Sequence, residues 1–435
     1  MQKLLTSAVA VALLGTGNVA LTQEASTTVT LAIDGRTSAM PWIASSGRAV
    51  AVAWMATVAG ASDVYVAVSD DDGRTFTPPV RVNTVAGDGR AAGEIPPRVA
   101  FGPVADAAGR REVVVAWNAK DRGTEIKIAR SRDGGRTFAA PVSLQAPGAA
   151  GDRGWHSLAI DERGVAHVFW LDHRGLAEAS ANAGAKAGGH HGEHDGVAMA
   201  QKSSLHYAAS GPGAAIGERA IAPGVCYCCK SAAVAAPGRI VTAWRHVFAD
   251  NVRDIAFTES RDGGRTFAPI ARVSADGWSI NGCPDDGPAL AVAGDARIHA
   301  VWPTVVQGRE TSGALFHATL GGDTAFSARQ RVPTLGSPKP SHPQVVADAS
   351  GGVVVAWDEV IDGVRTAAYV TGTPDGAAGL RFARPTTLAA GPSAYPVLAA
   401  TGRGVVAAWT AGPPTASSIH VRRIDAGDGS SPRAR

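Results

Sequence analysis

Aromatic residues make up only 6% of the 435 residues and charged residues 18%. The 41 lysines and arginines nearly balance the 38 acids, leave a net charge of +3, and gather into no runs. A nucleic-acid partner or an anionic membrane surface would call for a basic patch, which is missing. Beyond the first twenty residues no apolar stretch is long enough to cross a bilayer, so no membrane span is expected after signal removal. No segment keeps a helical period, and there is neither a nucleotide-binding glycine motif nor a Ser-His-Asp signature in a supporting context. Cysteine is scarce too: only Cys226, Cys228, Cys229 and Cys283 occur.

Residues 1–20 read as a secretory signal. Lys3 supplies the positive start, Leu4 to Leu14 is a short apolar core, and small residues follow up to Ala20. No cysteine follows the apolar stretch, which argues against a lipid anchor. The expected location is periplasmic or secreted. In such an oxidising compartment four cysteines first suggest two disulfides, and the adjacent pair Cys228–Cys229 cannot close on itself without strain. Cys283 is therefore expected to pair with one of the other three.

The 52 glycines and 26 prolines suit many turns between short strands. One phrase recurs: a short apolar strand, a Gly-containing turn, and a second strand ending in Val-Ala-Trp or a variant. Its tryptophans are Trp54, Trp117, Trp170, Trp244, Trp302, Trp357 and Trp409. Two further strands follow each of the first six tryptophans. Four strands per unit is the pattern of a β-propeller, here with seven blades favoured and six the alternative if one unit is incomplete. After Trp409 only one strand remains, Ser418 to Ile424. Thr28 to Ala32 is a spare N-terminal strand that would complete the last blade and leave no open edge. The expected organisation is a signal in 1–20, one propeller domain in 21–425 with an inserted His-rich loop at 176–201, and a disordered tail in 426–435.

Three turns carry S-x-D-x-G-x-T-F: Ser69 to Phe76, Ser131 to Phe138 and Ser260 to Phe267. Asp323 to Phe326 and Gly379 to Phe382 read as eroded copies. The Asp should accept main-chain N–H groups within the turn, the Gly supply positive φ, and the Phe pack between sheets. These strings resemble the Asp-box of the sialidase-like (BNR-repeat) propellers. The resemblance implies a propeller fold. A sialidase in that family would add an arginine cluster for a carboxylate, a Tyr nucleophile paired with a Glu, and an Asp acid. On this chain the matching residue types are Tyr395, Glu359, Asp285, Asp286, Arg98 and Arg245, with Arg309 and Arg365 as further arginines. The family's N-terminal Arg-Ile-Pro motif has no counterpart, since the corresponding stretch reads Met40-Pro41-Trp42-Ile43.

Strand parity places these features. The Asp turns follow third strands and mark the bottom face. Residues that open a first strand or follow a blade tryptophan lie on top. The top face then collects Met40, Arg98, Trp155, His156, the run Cys226 to Lys230, Cys283 to Asp286, His342 and Tyr395. It also collects Asp172, His173, Arg174, Arg245, His246, Asp358 and Glu359. Arg253 and Asp254, further along, read as a local surface pair. Polar groups converging on one mouth are the default binding site. Cys226, Cys228, Cys229 and Cys283, with His156 and the loop residues His190, His191 and His194, are ligand types suited to copper or zinc. Three functions follow: binding of a ligand or transition metal without catalysis; exo-glycosidase action of the sialidase type; or recognition of a glycan or protein partner.

Overall fold

In the computed structural model the described residues are 27–424, apart from 105, 121–122, 147, 149–150, 177–195, 212–213, 281, 283, 307–311, 323 and 377–378. They form seven antiparallel sheets arranged as blades. The first strands are Thr37–Ser46, Arg98–Val104, Arg153–Ile160, Ala232–Ala236, Ala289–Val292, Ser341–Ala347 and Ser393–Thr401. Each packs beside the next in cyclic order, and the seventh returns to the first, so they ring a central axis. The short N-terminal strand Val29–Leu31 pairs with Ser418–Ile424 as the outer strand of blade seven. Chain ends thus close the ring as the sequence requires. In blade six the outer position is split between Gly379–Phe382 and Thr386–Thr387. Gly379 to Phe382 is therefore a strand and not an eroded Asp turn, and Asp323 lies outside the described residues.

Second strands such as Ala49–Val58, Arg111–Lys120 and Ala166–Asp172 are buried along nearly their whole length. Neighbouring blades cover both faces of each, so the strands need apolar residues on both sides instead of strict alternation. Seven apolar clusters result, each spanning two adjacent blades. All seven blade tryptophans are buried. Four find a partner for the indole N–H: Trp170 donates to Asp172, Trp244 to His246, Trp357 to Glu359 and Trp302 to Asp276.

The three S-x-D-x-G-x-T-F turns close alike. Asp71 accepts from the Thr75 N–H at 2.9 Å and from its hydroxyl at 2.6 Å, while Ser69 donates to Asp71 and accepts from the Gly73 N–H. Asp133 and Asp262 repeat the arrangement. Burial opposes ionisation at Asp71, yet the Thr75 and Ser69 hydrogen bonds outweigh it and hold the carboxyl down at about 2. Each turn also seals a blade joint. A Cβ on Gly264 (φ +87°) would lie 1.8 Å from the hydroxyl of Tyr207 on the preceding blade. Gly264→Ala is expected to cost about 3 kcal/mol, from left-handed backbone and overpacking together. Gly238, also at positive φ but with open space around it, serves as control: Gly238→Ala should cost only about 1 kcal/mol. Equal losses for the two in urea denaturation would refute the packing argument.

Candidate functional site

The blades open on a repeated distortion. In blades one, three, six and seven the pairing of first and second strands breaks register at Ala39/Trp42, Gly154/Ser157, Ser341/Gln344 and Ala394/Val397. Each break holds one left-handed, non-glycine residue: Met40, Trp155, His342 and Tyr395, with φ between 51° and 55°. Glu94 and Asp285 adopt the same conformation just before the first strands of blades two and five. Bulky residues avoid this region, and such bulges re-aim side chains. The recurrence of this conformation at the top of the ring makes the mouth the candidate site.

At the mouth, residues of distant blades meet. The Lys230 ammonium lies 3.3 Å from Glu94 Oε1 and donates to the Pro343 carbonyl at 3.2 Å, and the Lys230 main-chain N–H donates to Glu94 Oε2 at 3.0 Å. Both side chains are buried. Blades two, four and six are thereby tied across the axis. The His342 N–H donates to Asp286, while the His342 ring contacts Asp358 at 2.9 Å and lies 4.3 Å from the Tyr395 ring. Asp358 also accepts from the Tyr395 N–H at 2.7 Å and pairs with Arg365. Burial, helped by the Glu94 charge, pushes Asp286 up to about 7. Burial opposes the charged form of His342, yet Asp358 wins and raises it. Burial holds the Tyr395 phenol up at about 12, so it stays protonated at neutral pH. A small apolar cleft at this level is lined by Met40, Trp42, Glu94, Lys230, His342 and Tyr395. Below it an axial channel of about 270 Å³ runs between the first strands.

The cysteines lie beside the axis, at the opening of blade four. Cys226, Cys228 and Cys229 are buried in a small cluster with Ala200 and Val247, flanked by Trp155 and Tyr227. Their three sulfurs lie within 4.8 Å of one another. Cys226 and Cys229 are free thiols, 3.8 Å apart; Cys228, 3.8 Å from Cys229, is not among the free thiols. Arg253 Nη1 donates to Cys226 Sγ at 3.3 Å, and the Asp286 N–H donates to Cys229 Sγ at 3.4 Å. The hydrogen bond from Cys229, aided by the charges of Arg253 and Arg245, lowers Cys226 to about 6 against the effect of burial. Burial pushes Cys229 up. Ala200 belongs to the helix Gly196–Gln201, which directly follows the His-rich segment in sequence and packs on the thiols.

Several anticipated residues are committed elsewhere. Arg98 is buried, stacks on Trp42 at 3.7 Å and donates through Nε to the His156 carbonyl. Arg245 gives its guanidinium to the carbonyls of Asp286, Arg253 and Pro303. Glu359 accepts from the Trp357 indole and the Leu335 and Ser337 N–H groups, so Tyr395 meets His342 and Asp358 rather than Glu359. His156 is buried against the Ala116 carbonyl. Asp285 is half-buried and raised by burial and by Glu94. Arg253 and Asp254 are buried, not a surface pair; Asp254 accepts from Arg272 and the Gly277 and Trp278 N–H groups. A second cluster, Asp172, His206 and Glu218, is already bridged by Arg174. Cys283, His190, His191, His194 and Arg309 lie outside the described residues. Glu94 went unnoticed in the sequence because the loop before Arg98 is long. The signal was a proline shortly after it, Pro96 two residues on, where Met40, His342 and Tyr395 are each followed directly by proline.

No family model matches the chain, and no curated protein matches it. Solved structures do. The ulvan lyase of polysaccharide lyase family PL25 superposes with a TM-score of 0.54 at 9% identity, covering 90% of this chain and 94% of that one. The Penicillium chrysogenum α-L-arabinanase complexed with arabinobiose superposes at 0.50 and 13% identity, covering 92% and 97%. Polysaccharide lyase Uly1 gives 0.50 at 9% identity, covering 91% of each chain. The chain has the seven-bladed propeller fold also found in these glycan-acting enzymes. No helix among the described residues is long and apolar enough to cross a membrane.

Proposed function

We propose that this is an exported propeller that binds a soft transition metal, copper or zinc, on its top face and does not hydrolyse glycosides. The observation that carries the reading is the buried Cys226–Cys229 thiol pair with Arg253 donating to one sulfur. A cation stabilises the thiolate, and the thiolate is the ligand form. Cys228 bonded to Cys283 would brace the loop and leave the other two sulfurs for the metal. His190, His191 and His194, upstream of the helix that packs on the thiols, would capture the ion. Against sialidase-type hydrolysis stand a Tyr395 phenol held protonated and arginines committed to carbonyls. A nucleophilic tyrosine needs a neighbouring base to take its proton.

Thiol counting tests the arrangement. Mass spectrometry of unfolded, alkylated protein should find two free thiols and one disulfide joining the peptides of Cys228 and Cys283. Two disulfides would remove the ligands, and absence of bound metal after reduction and reloading would sink the reading. Glycan recognition is the second reading, favoured by the stacked His342 and Tyr395 rings at the mouth and by the fold shared with glycan-acting enzymes. A glycan array with Tyr395→Ala as control separates the two.

A further inference from the structure

The thiol pair also carries a choice of metal, an inference that rests on the metal reading above. The two free sulfurs, Cys226 and Cys229, sit three residues apart in one tight loop, where the Cys229 N–H reaches the Cys226 carbonyl at 3.5 Å. Their walls are Ala200, Val247, Trp155 and Tyr227. Among the described residues no histidine or carboxylate completes a ligand set with these sulfurs. Zinc sites take four ligands, or three and a water. Among the described residues only the Cys228 sulfur is grouped with them, so no fourth protein ligand is on offer there, and both sulfurs are buried.

Charge argues the same way. Arg253 is fully buried, holds Cys226 through Nη1 and Asn251 through Nε, and leaves Nη2 without a partner. Arg245 is buried beside it and donates through Nη1 to the Arg253 carbonyl at 2.8 Å. Two thiolates beside two guanidinium groups are already near neutrality. A divalent ion would add two positive charges to a low-dielectric site, a monovalent one only one. Thiolates select Cu(I) on softness, and Cu(I) is content with few ligands. We propose that the Cys226–Cys229 pair is a Cu(I) site that discriminates against zinc, with Arg253 as the residue that positions the Cys226 sulfur.

Anaerobic titration of the purified protein with Cu(I), in competition with bicinchoninate and without a disulfide reductant so that Cys228 stays bonded, should show one Cu(I) per chain. Zinc, followed with a chromogenic zinc chelator, should bind at least about a hundred-fold more weakly. Cys226→Ser and Cys229→Ser should each abolish Cu(I) retention. Arg253→Met should weaken it about ten-fold, the loss expected for a charged hydrogen bond, and Arg253→Lys should restore part of that. Copper K-edge absorption of the unaltered protein needs no variant to fold, and should show sulfur neighbours only. Zinc binding as tight as Cu(I), or a copper shell of nitrogen and oxygen, overturns this inference while leaving the metal reading standing. Binding of neither metal overturns both.

Discussion

Acidification is expected to unfold this protein cooperatively between about pH 4 and 5, well before its carboxylates are fully protonated. Five histidines cause it. Burial depresses His156 and His317 to about 3 and His173, His246 and His299 to about 4. A histidine with a depressed native value binds its proton more readily when unfolded. Stability is therefore lost as pH falls from about 6.5 towards the native value. At pH 4.5 each contributes roughly 2–3 kcal/mol of destabilisation. Together that is comparable with the whole stability of a domain, about 5–15 kcal/mol.

Some groups act in the opposite sense, the raised carboxyls of Asp254 and Asp285 among them. His342 is raised by Asp358, so its contribution is present below about 6.5 and fades as pH rises through its native value. Asp286, raised to about 7, favours the native state increasingly as pH falls from there towards 3.8. They blunt the acid transition without cancelling five histidines. Tryptophan fluorescence and circular dichroism along a pH series report the midpoint. A native spectrum persisting to pH 3 would show that these histidines are not held neutral.

The second large effect belongs to the Glu94–Lys230 pair. Glu94→Gln leaves the Lys230 ammonium buried with a carbonyl and an amide; Lys230→Met leaves Glu94 buried near Asp285 and Asp286. Each single change should cost about 3–5 kcal/mol in urea denaturation, because an unpaired buried charge remains. The double variant Glu94→Gln, Lys230→Met should be less damaging than either single one, since removing both charges removes the desolvation cost with the attraction. Single losses under about 1 kcal/mol would mean that water reaches the pair and that the mouth is open.

Much of the architecture can be read along the chain. Seven strands ending in Val-Ala-Trp or a variant and the spare strand at Thr28 to Ala32 are local patterns, and the ring closes as they imply. The turns at Asp71, Asp133 and Asp262 are equally local, since every bond of the motif lies within five residues. Chemistry at the mouth is less legible. Asp172, His246 and Glu359 look like free top-face groups in sequence, yet each satisfies a blade tryptophan two residues earlier. Arg253 reads as a surface charge until the fold buries it against Cys226.

Local period and turn chemistry thus determined the strands, favoured seven blades over six, and gave the closing strand and the face on which Cys226, Cys228 and Cys229 lie. These depend on contacts between residues close in the chain or on simple strand parity. The tertiary structure alone decided which residues converge at the axis. Glu94, Lys230 and Pro343 come from three separate blades, and only closure of the ring brings them within hydrogen-bonding distance. It also decided which charges remain available, because burial and competition among neighbours, not residue type, commit a side chain to a carbonyl, an indole or a thiol.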